Sequence, residues 1–184
     1  LDGIPTNKII KHDLRRQISL VQQDVFLFSG SILDNIRLGN SYLEIDQIKS
    51  IAESVNLHQF VECLPDKYEQ NVLERGSVLS LGQKQLLSFA RALATDPRIL
   101  VLDEATSSID TETELQVQSG IKELIRGRTS IIIAHRLSTL KNVDKILVLK
   151  EGRMAEYGTQ KELLQKKGIY WKLYNLQAVN DVKL

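Results

Sequence analysis

Two adjacent carboxylates at the end of an apolar run are the residues most able to do chemistry. Ile99-Leu-Val-Leu-Asp103-Glu104 reads as a buried strand that delivers both side chains at its C-terminal end, where open parallel α/β sheets hold ligands. Burying an isolated charge is expensive, so the pair calls for a metal, a partner or a reaction. One carboxylate suits Mg²⁺, directly or through water, while its neighbour acts on a water nucleophile. The competing reading is that both open a solvated loop or cap the next helix.

A second constellation is Leu79-Ser80-Leu81-Gly82-Gln83. Ser80 and Gln83 have capping-box spacing, and Leu86, Leu87, Ala90 and Leu93 continue an apolar helical face. Gly82 leaves the backbone open beside the helix start, where free N–H groups, the helix dipole and the Ser80 hydroxyl together suit phosphate. Taken alone, the same residues also describe an ordinary capped helix. His135 follows the Ile131–Ala134 run at the sheet end that presents ligand contacts, although a lone histidine is as readily structural. His12 and His58 sit in polar stretches and read as structural. Ile18-Ser-Leu-Val-Gln22-Gln23-Asp24 ends a strand-like run with two amides, either able to hold a metal-bound water or to cap a turn.

The elements that must position these groups alternate. Ile99–Leu102, Ser130–Ala134 and Lys145–Leu149 read as strands buried on both faces, as in parallel sheets, and helical patterns separate them. Thr111 and Glu114 have the spacing of a capping box for a helix through about Ile125, which Gly127 is placed to end. Residues Leu43 to Pro97 lack strand runs and put Ile48, Ile51, Ala52 and Val55 on one helical face, predicting a helical insertion in the α/β core. Lys161 to Leu176 predicts two terminal helices broken at Gly168.

Composition narrows the function classes. With 24 basic and 23 acidic side chains, no whole-molecule field favours nucleic acid or an anionic membrane surface, so any anion binding must be local. A single cysteine, Cys63, excludes an internal disulfide and reads as a packing residue. No apolar run approaches the roughly 20 residues that span a bilayer, so another segment or chain must supply any membrane portion.

These pieces occur in the order, and with about the spacing, of ABC ATPase domains, and the chain resembles that family, most of all its exporter branch, over nearly its whole length. The resemblance implies an α/β, P-loop NTPase-like fold with a parallel sheet and a helical subdomain. It divides the chain into a core segment 1–24, a helical subdomain 25–97 and a core segment 98–184. Gln23 resembles the Q-loop glutamine that touches Mg²⁺ or the attacking water, and Glu74-Arg75-Gly76 resembles the exporter segment that faces the coupling helices. Ser80, Leu81, Gly82 and Gln83 match the signature that contacts ATP held by a second ATPase domain. Asp103 is similar to the Walker B aspartate, Glu104 to the catalytic base, and Ser107 to Asp110 to the D-loop. His135 is similar to the switch histidine at the γ-phosphate. The implied cofactors are ATP and Mg²⁺. The implied partners are a second, identical or different, ATPase domain and a transmembrane domain, at the cytoplasmic face of the cell membrane, with no nucleic acid.

Two departures stand out. Leu81 occupies a step where the signature usually has glycine, which restricts the backbone there. None of the ten glycines is followed by lysine, so the P-loop pattern G-x-x-x-x-G-K-[ST] does not occur in the chain. The opening Leu1-Asp-Gly-Ile-Pro resembles the segment that follows that loop, so the expectation is an N-terminally truncated domain that does not bind ATP tightly by itself. Two other readings compete: a soluble ABC ATPase outside transport, and a catalytically silent interaction fragment. Against the former, Val25 to Asn35, with Phe26, Phe28 and Ile32, resembles the exporter surface that receives a coupling helix.

Overall fold

The computed structural model describes residues 1–38, 40–72, 78–103, 111–134, 140 and 143–181. They form two compact units, Leu1–Ile133 and Ala134–Leu184. The first is built on a three-stranded parallel sheet of β1 (Ile18–Val21), β2 (Ile99–Asp103) and β3 (Thr129–Ile133), in the order β1-β2-β3. A short helix α1 (Lys11–Gln17) leads into β1. Between β1 and β2 lie α2 (Ile32–Arg37), α3 (Ile45–Ser54), α4 (His58–Glu62) and α5 (Leu81–Leu93), the helical insertion expected from the sequence. The β2 to β3 crossover is α6 (Thr111–Ile125).

The centre of this unit is α5. Leu86, Leu87, Phe89 and Ala90 are fully buried among Ile48 and Ala52 of α3, Ile32 and Ile36 of α2 and Val117 and Leu124 of α6. Gly120 of α6 lets this packing close, because a Cβ there would stand 3.3 Å from both the Phe89 ring and the Val55 carbonyl. Helix α5 is also tied to the sheet: the Ser19 and Thr95 hydroxyls share a hydrogen bond of 2.7 Å, and both lie within hydrogen-bond distance of the Ala92 carbonyl, at 3.3 and 2.9 Å.

Several expectations are corrected. The strands of the parallel sheet are not buried on both faces. Val21, Leu100 and Leu102 point into the core, while Leu20, Ile131 and Ile133 are about half exposed on the other face. The Lys145–Leu149 run is strand β4 (Ile146–Lys150), yet it belongs to the second unit and pairs antiparallel with β5 (Arg153–Gly158) in a separate two-stranded sheet. Helix α6 begins at Thr111 among the described residues, and the expected Thr111–Glu114 capping box falls on a side chain outside them. Gly127, at φ +70°, takes the left-handed conformation that ends the helix. Cys63 is exposed, not packed. His58 is structural as read: its Nδ1 lies 2.7 Å from the hydroxyl of buried Tyr68, whose phenol burial and then Glu62 and Glu53 push up to about 12.

In the second unit, α7 (Gln160–Lys166) and α8 (Ile169–Asp181) follow the hairpin, and Ile146, Val148, Leu163 and Tyr170 form its core. The break between the helices has a specific cause. The Glu156 carboxylate of β5 accepts the Ile169 and Tyr170 backbone N–H groups at 2.7 and 3.0 Å, capping α8 from a distance. Gly168 is needed there because a Cβ would fall on that carboxylate.

The bonds from Tyr170 and Ile169 hold the Glu156 carboxyl below the usual carboxylate range. A depressed folded-state pKa gives stability that is present above the ordinary value and lost as pH falls through the folded one. Trp171, next to this cap and the only tryptophan, reports on it. Its fluorescence melts should lose stability as pH drops from about 7 to about 3, and Glu156→Gln should flatten that slope. An unchanged slope in the variant would refute the cap.

Candidate functional site

The Ser80–Gln83 turn is the best-defined part of the candidate site. Ser80 is the N-cap of α5, in extended conformation with φ −63° and ψ 163°. Its hydroxyl accepts the Gln83 N–H at 3.2 Å, and its own N–H donates to the Gln83 side-chain oxygen at 2.9 Å, closing the capping box predicted from spacing. An oxygen that accepts for the cap keeps its O–H free to donate. The Leu81 and Gly82 N–H groups lie in the first helical turn, where no intrahelical carbonyl reaches them. Three neutral donors thus gather at the positive end of a 13-residue helix.

Leu81 is the first residue of α5 and is not among the residues with positive φ. Its conformation is therefore one that leucine adopts freely. What the substitution adds is a side chain, 42% exposed, at the face where the donors open.

The second part of the site is the C-terminal edge of the parallel sheet. Val21 is in register with Leu102, so Asp103, the last residue of β2, and Gln23, two residues past β1, lie at the same edge. Asp103 also pairs with Ile133, the last residue of β3. Among the described residues, neither Gln23 nor Asp103 has a side-chain hydrogen-bond or ion-pair partner. Gln22 is likewise exposed beside Gln23. No group of three or more metal-ligating side chains occurs among the described residues. One carboxylate and one amide oxygen are, however, the hard donors that Mg²⁺ takes when waters and phosphate oxygens complete its shell. No described hydrogen bond or ion pair joins this edge to the Ser80–Gln83 cap.

The other residues singled out in the sequence, Glu74, Arg75, Gly76, Glu104, Ser107, Asp110 and His135, lie outside the described residues. The Val25 to Asn35 surface is partly corrected: Ile32 is fully buried in the core, whereas Phe26 and Phe28 are about half exposed and meet edge to face with centroids 5.0 Å apart. Sequence reasoning missed Arg91, whose guanidinium lies 5.8 Å over the Phe28 ring. Burial lowers its pKa, and its Nη1 has no hydrogen-bond partner among the described residues. No described helix is long and apolar enough to cross a membrane.

Comparison with known proteins places this geometry. A family model described as ABC transporter matches residues 1–107. An ABC transporter ATP-binding protein of Bacillus subtilis, YknV, is 49% identical over 96% of this chain, and an ATP-dependent lipid A-core flippase of Saccharophagus degradans is 44% identical over 96%. A bacterial Atm1-family ABC exporter solved with ATP bound superposes with a TM-score of 0.88 at 38% identity over 96% of the chain. The chain belongs to the ABC transporter family. It has the P-loop NTPase fold of that family's ATP-binding domain and is homologous to exporters. It spans 29%, 30% and 31% of the lengths of these three relatives.

The cap geometry predicts a stability effect separable from function. Ser80→Ala should cost roughly 1 kcal/mol and lower the melting temperature by ~2–4 °C, while Ser80→Asp restores most of it. A thermal melt unchanged in Ser80→Ala would contradict the observed cap.

Proposed function

We propose that the chain is the ATP-binding and ATP-hydrolysing part of an exporter, with the Ser80–Gln83 cap facing a nucleotide held by a second ATPase domain. The observation that carries this is the free O–H of Ser80 beside the backbone N–H of exposed Leu81 at the start of α5, with buried Gly82 next in the same turn. That arrangement fits a terminal phosphate and contacts no other part of a nucleotide, and a site completed by another domain accounts for it. Such a site also accounts for the missing link between the cap and the Gln23–Asp103 edge, which would serve two different nucleotides.

On this reading residues 1–24 and 98–184 form the catalytic core and 25–97 the helical subdomain. Gln23 and Asp103 hold Mg²⁺, which when bound neutralises charge on the phosphate oxygens. Glu104 polarises the attacking water, His135 stabilises charge on the transferred group, and Ser107 and Asp110 contact the nucleotide from the D-loop position. Leu81 narrows the donor face without removing it, which suits either a weaker site or one of an unequal pair. The exposed Phe26–Phe28 pair, backed by Arg91 with its unpartnered Nη1, supports contact with a transmembrane domain at the cytoplasmic face of a membrane.

Calorimetry of the 184-residue chain with Mg-ATP should show binding weaker than micromolar; a micromolar or tighter dissociation constant would overturn the shared-site reading. In a complete transporter carrying this domain, Glu104→Gln should keep nucleotide binding and abolish turnover. Normal turnover would remove Glu104 from the role of base.

A further inference from the structure

A cleft of about 1190 Å³ opens in the first unit between α1 and the chain that leaves α2. One wall carries Lys11, Arg15 and Arg16, and Arg37 stands on the other with Tyr42 beyond it. Lys11 and Arg15 are four residues apart on α1, so they stack on one helix face about 5–6 Å apart. The three α1 cations are exposed, and none has an ion-pair partner among the described residues. The carboxylate next to them, Asp13, lies instead 3.4 Å from the His12 ring. Arg37 gives its Nε–H to the Leu43 carbonyl at 3.2 Å and so is held in place with the rest of its guanidinium available.

Among the described residues, the only carboxylate lining the cleft is Asp34, and it is already engaged. It accepts the Ser31 N–H at 2.9 Å in the capping box of α2, and that bond is the main reason its pKa is lowered. Four cations therefore face one committed anion in a concave space, in a chain whose net charge is only +1. Like charges gathered on two facing walls repel one another, and a concave wall focuses their field, so the arrangement is relieved by an incoming anion.

We propose that this cleft binds a phosphate-bearing polyanion. Three guanidinium groups favour phosphate because their forked donors match its oxygens, and Lys11 adds a point charge. The volume is far larger than one inorganic phosphate needs, which points to a ligand with several phosphates or with a phosphate on a larger body. Tyr42, 90% exposed at the rim, offers a ring and a hydroxyl to that body. The signal was invisible in sequence because Lys11 to Arg16 and Arg37 to Tyr42 are brought together only by the fold.

The test is calorimetry of the 184-residue chain with two probes: sodium pyrophosphate in solution, and phosphatidylcholine vesicles containing phosphatidic acid. Binding of pyrophosphate assigns the cleft to a soluble phosphate compound; binding of the vesicles alone assigns it to a lipid headgroup. In either case binding should weaken with added salt and fall about tenfold or more in the double variant Arg15→Glu, Arg16→Glu. Lys11→Gln and Arg37→Gln, tested singly, should each weaken it by less; they decide the matter if circular dichroism shows the double variant unfolded. Failure of both probes to bind overturns the proposal, as does binding that survives these changes. Tighter binding of a polyglutamate peptide than of pyrophosphate would also overturn it. Binding lost in Ser80→Ala but kept in the α1 variants would place the anion at α5 instead, leaving the shared-nucleotide reading intact and this one refuted.

Discussion

Burial of Leu86, Leu87, Phe89 and Ala90 places α5 in the middle of the first unit, and most of what surrounds it is arranged by that burial. Removing four such side chains from water is the strongest non-directional force available to a segment of this length. Helices α2, α3 and α6 each lay an apolar stripe against it, and Gly120 is small so that α6 can approach. With the helix body fixed by packing, its first turn has no freedom in where it points, and the donors around Ser80 are presented by default. The hydroxyl contacts at Ser19, Ala92 and Thr95 then fix the helix to the edge of the parallel sheet, whose far ends carry Gln23 and Asp103.

Electrostatics in this chain are local and mostly settled at helix ends. Asp34, Glu156 and Glu162 all have lowered pKa values because backbone N–H groups bond to the ionised form. Each carboxylate is occupied by the end of an element. Arg91 is the opposite case, a charge partly withdrawn from water whose contacts are an aromatic face and one donor left over. The contrast separates groups that hold the fold together from groups that the fold leaves available.

Where determinants were close in sequence, they were legible. The capping box at Ser80 and Gln83 depends on four residues, and the helical insertion on a repeat of three to four. The runs at Ile99 and Ser130 were recognised because β-branched residues cluster there. The parallel pairing of these two runs was legible from the helix between them, and what failed was set by other distant contacts. The run at Ile146 has the same composition as a parallel strand, and nothing local says that its partner is the polar-looking Arg153–Gly158 segment in a hairpin. Whether a strand is covered on one face or two depends on what packs against it, and the exposure of Ile131 and Ile133 therefore departs from the reading of their run. Ile32 and Cys63 erred in opposite directions for the same reason. The candidate site was legible as a set of motifs. The placing of one motif at a helix start and another at a strand end was legible too, whereas the register that sets Gln23 beside Asp103 was not, because it follows from the path of the chain.

The cap on Ser80 has a mechanical side as well. A helix whose first turn is closed by reciprocal bonds, and whose other end is fastened at Ala92 to β1, would carry any tilt at that fastening to its tip as a stiff rod, together with the helices packed around it. From Ser80 to Ala92 the axis runs about 18 Å, so a tilt of about 10° at the sheet would swing the serine hydroxyl by roughly 3 Å. That is the length of one hydrogen bond. A pivot this short converts a slight change at the base into the making or breaking of contact at the tip.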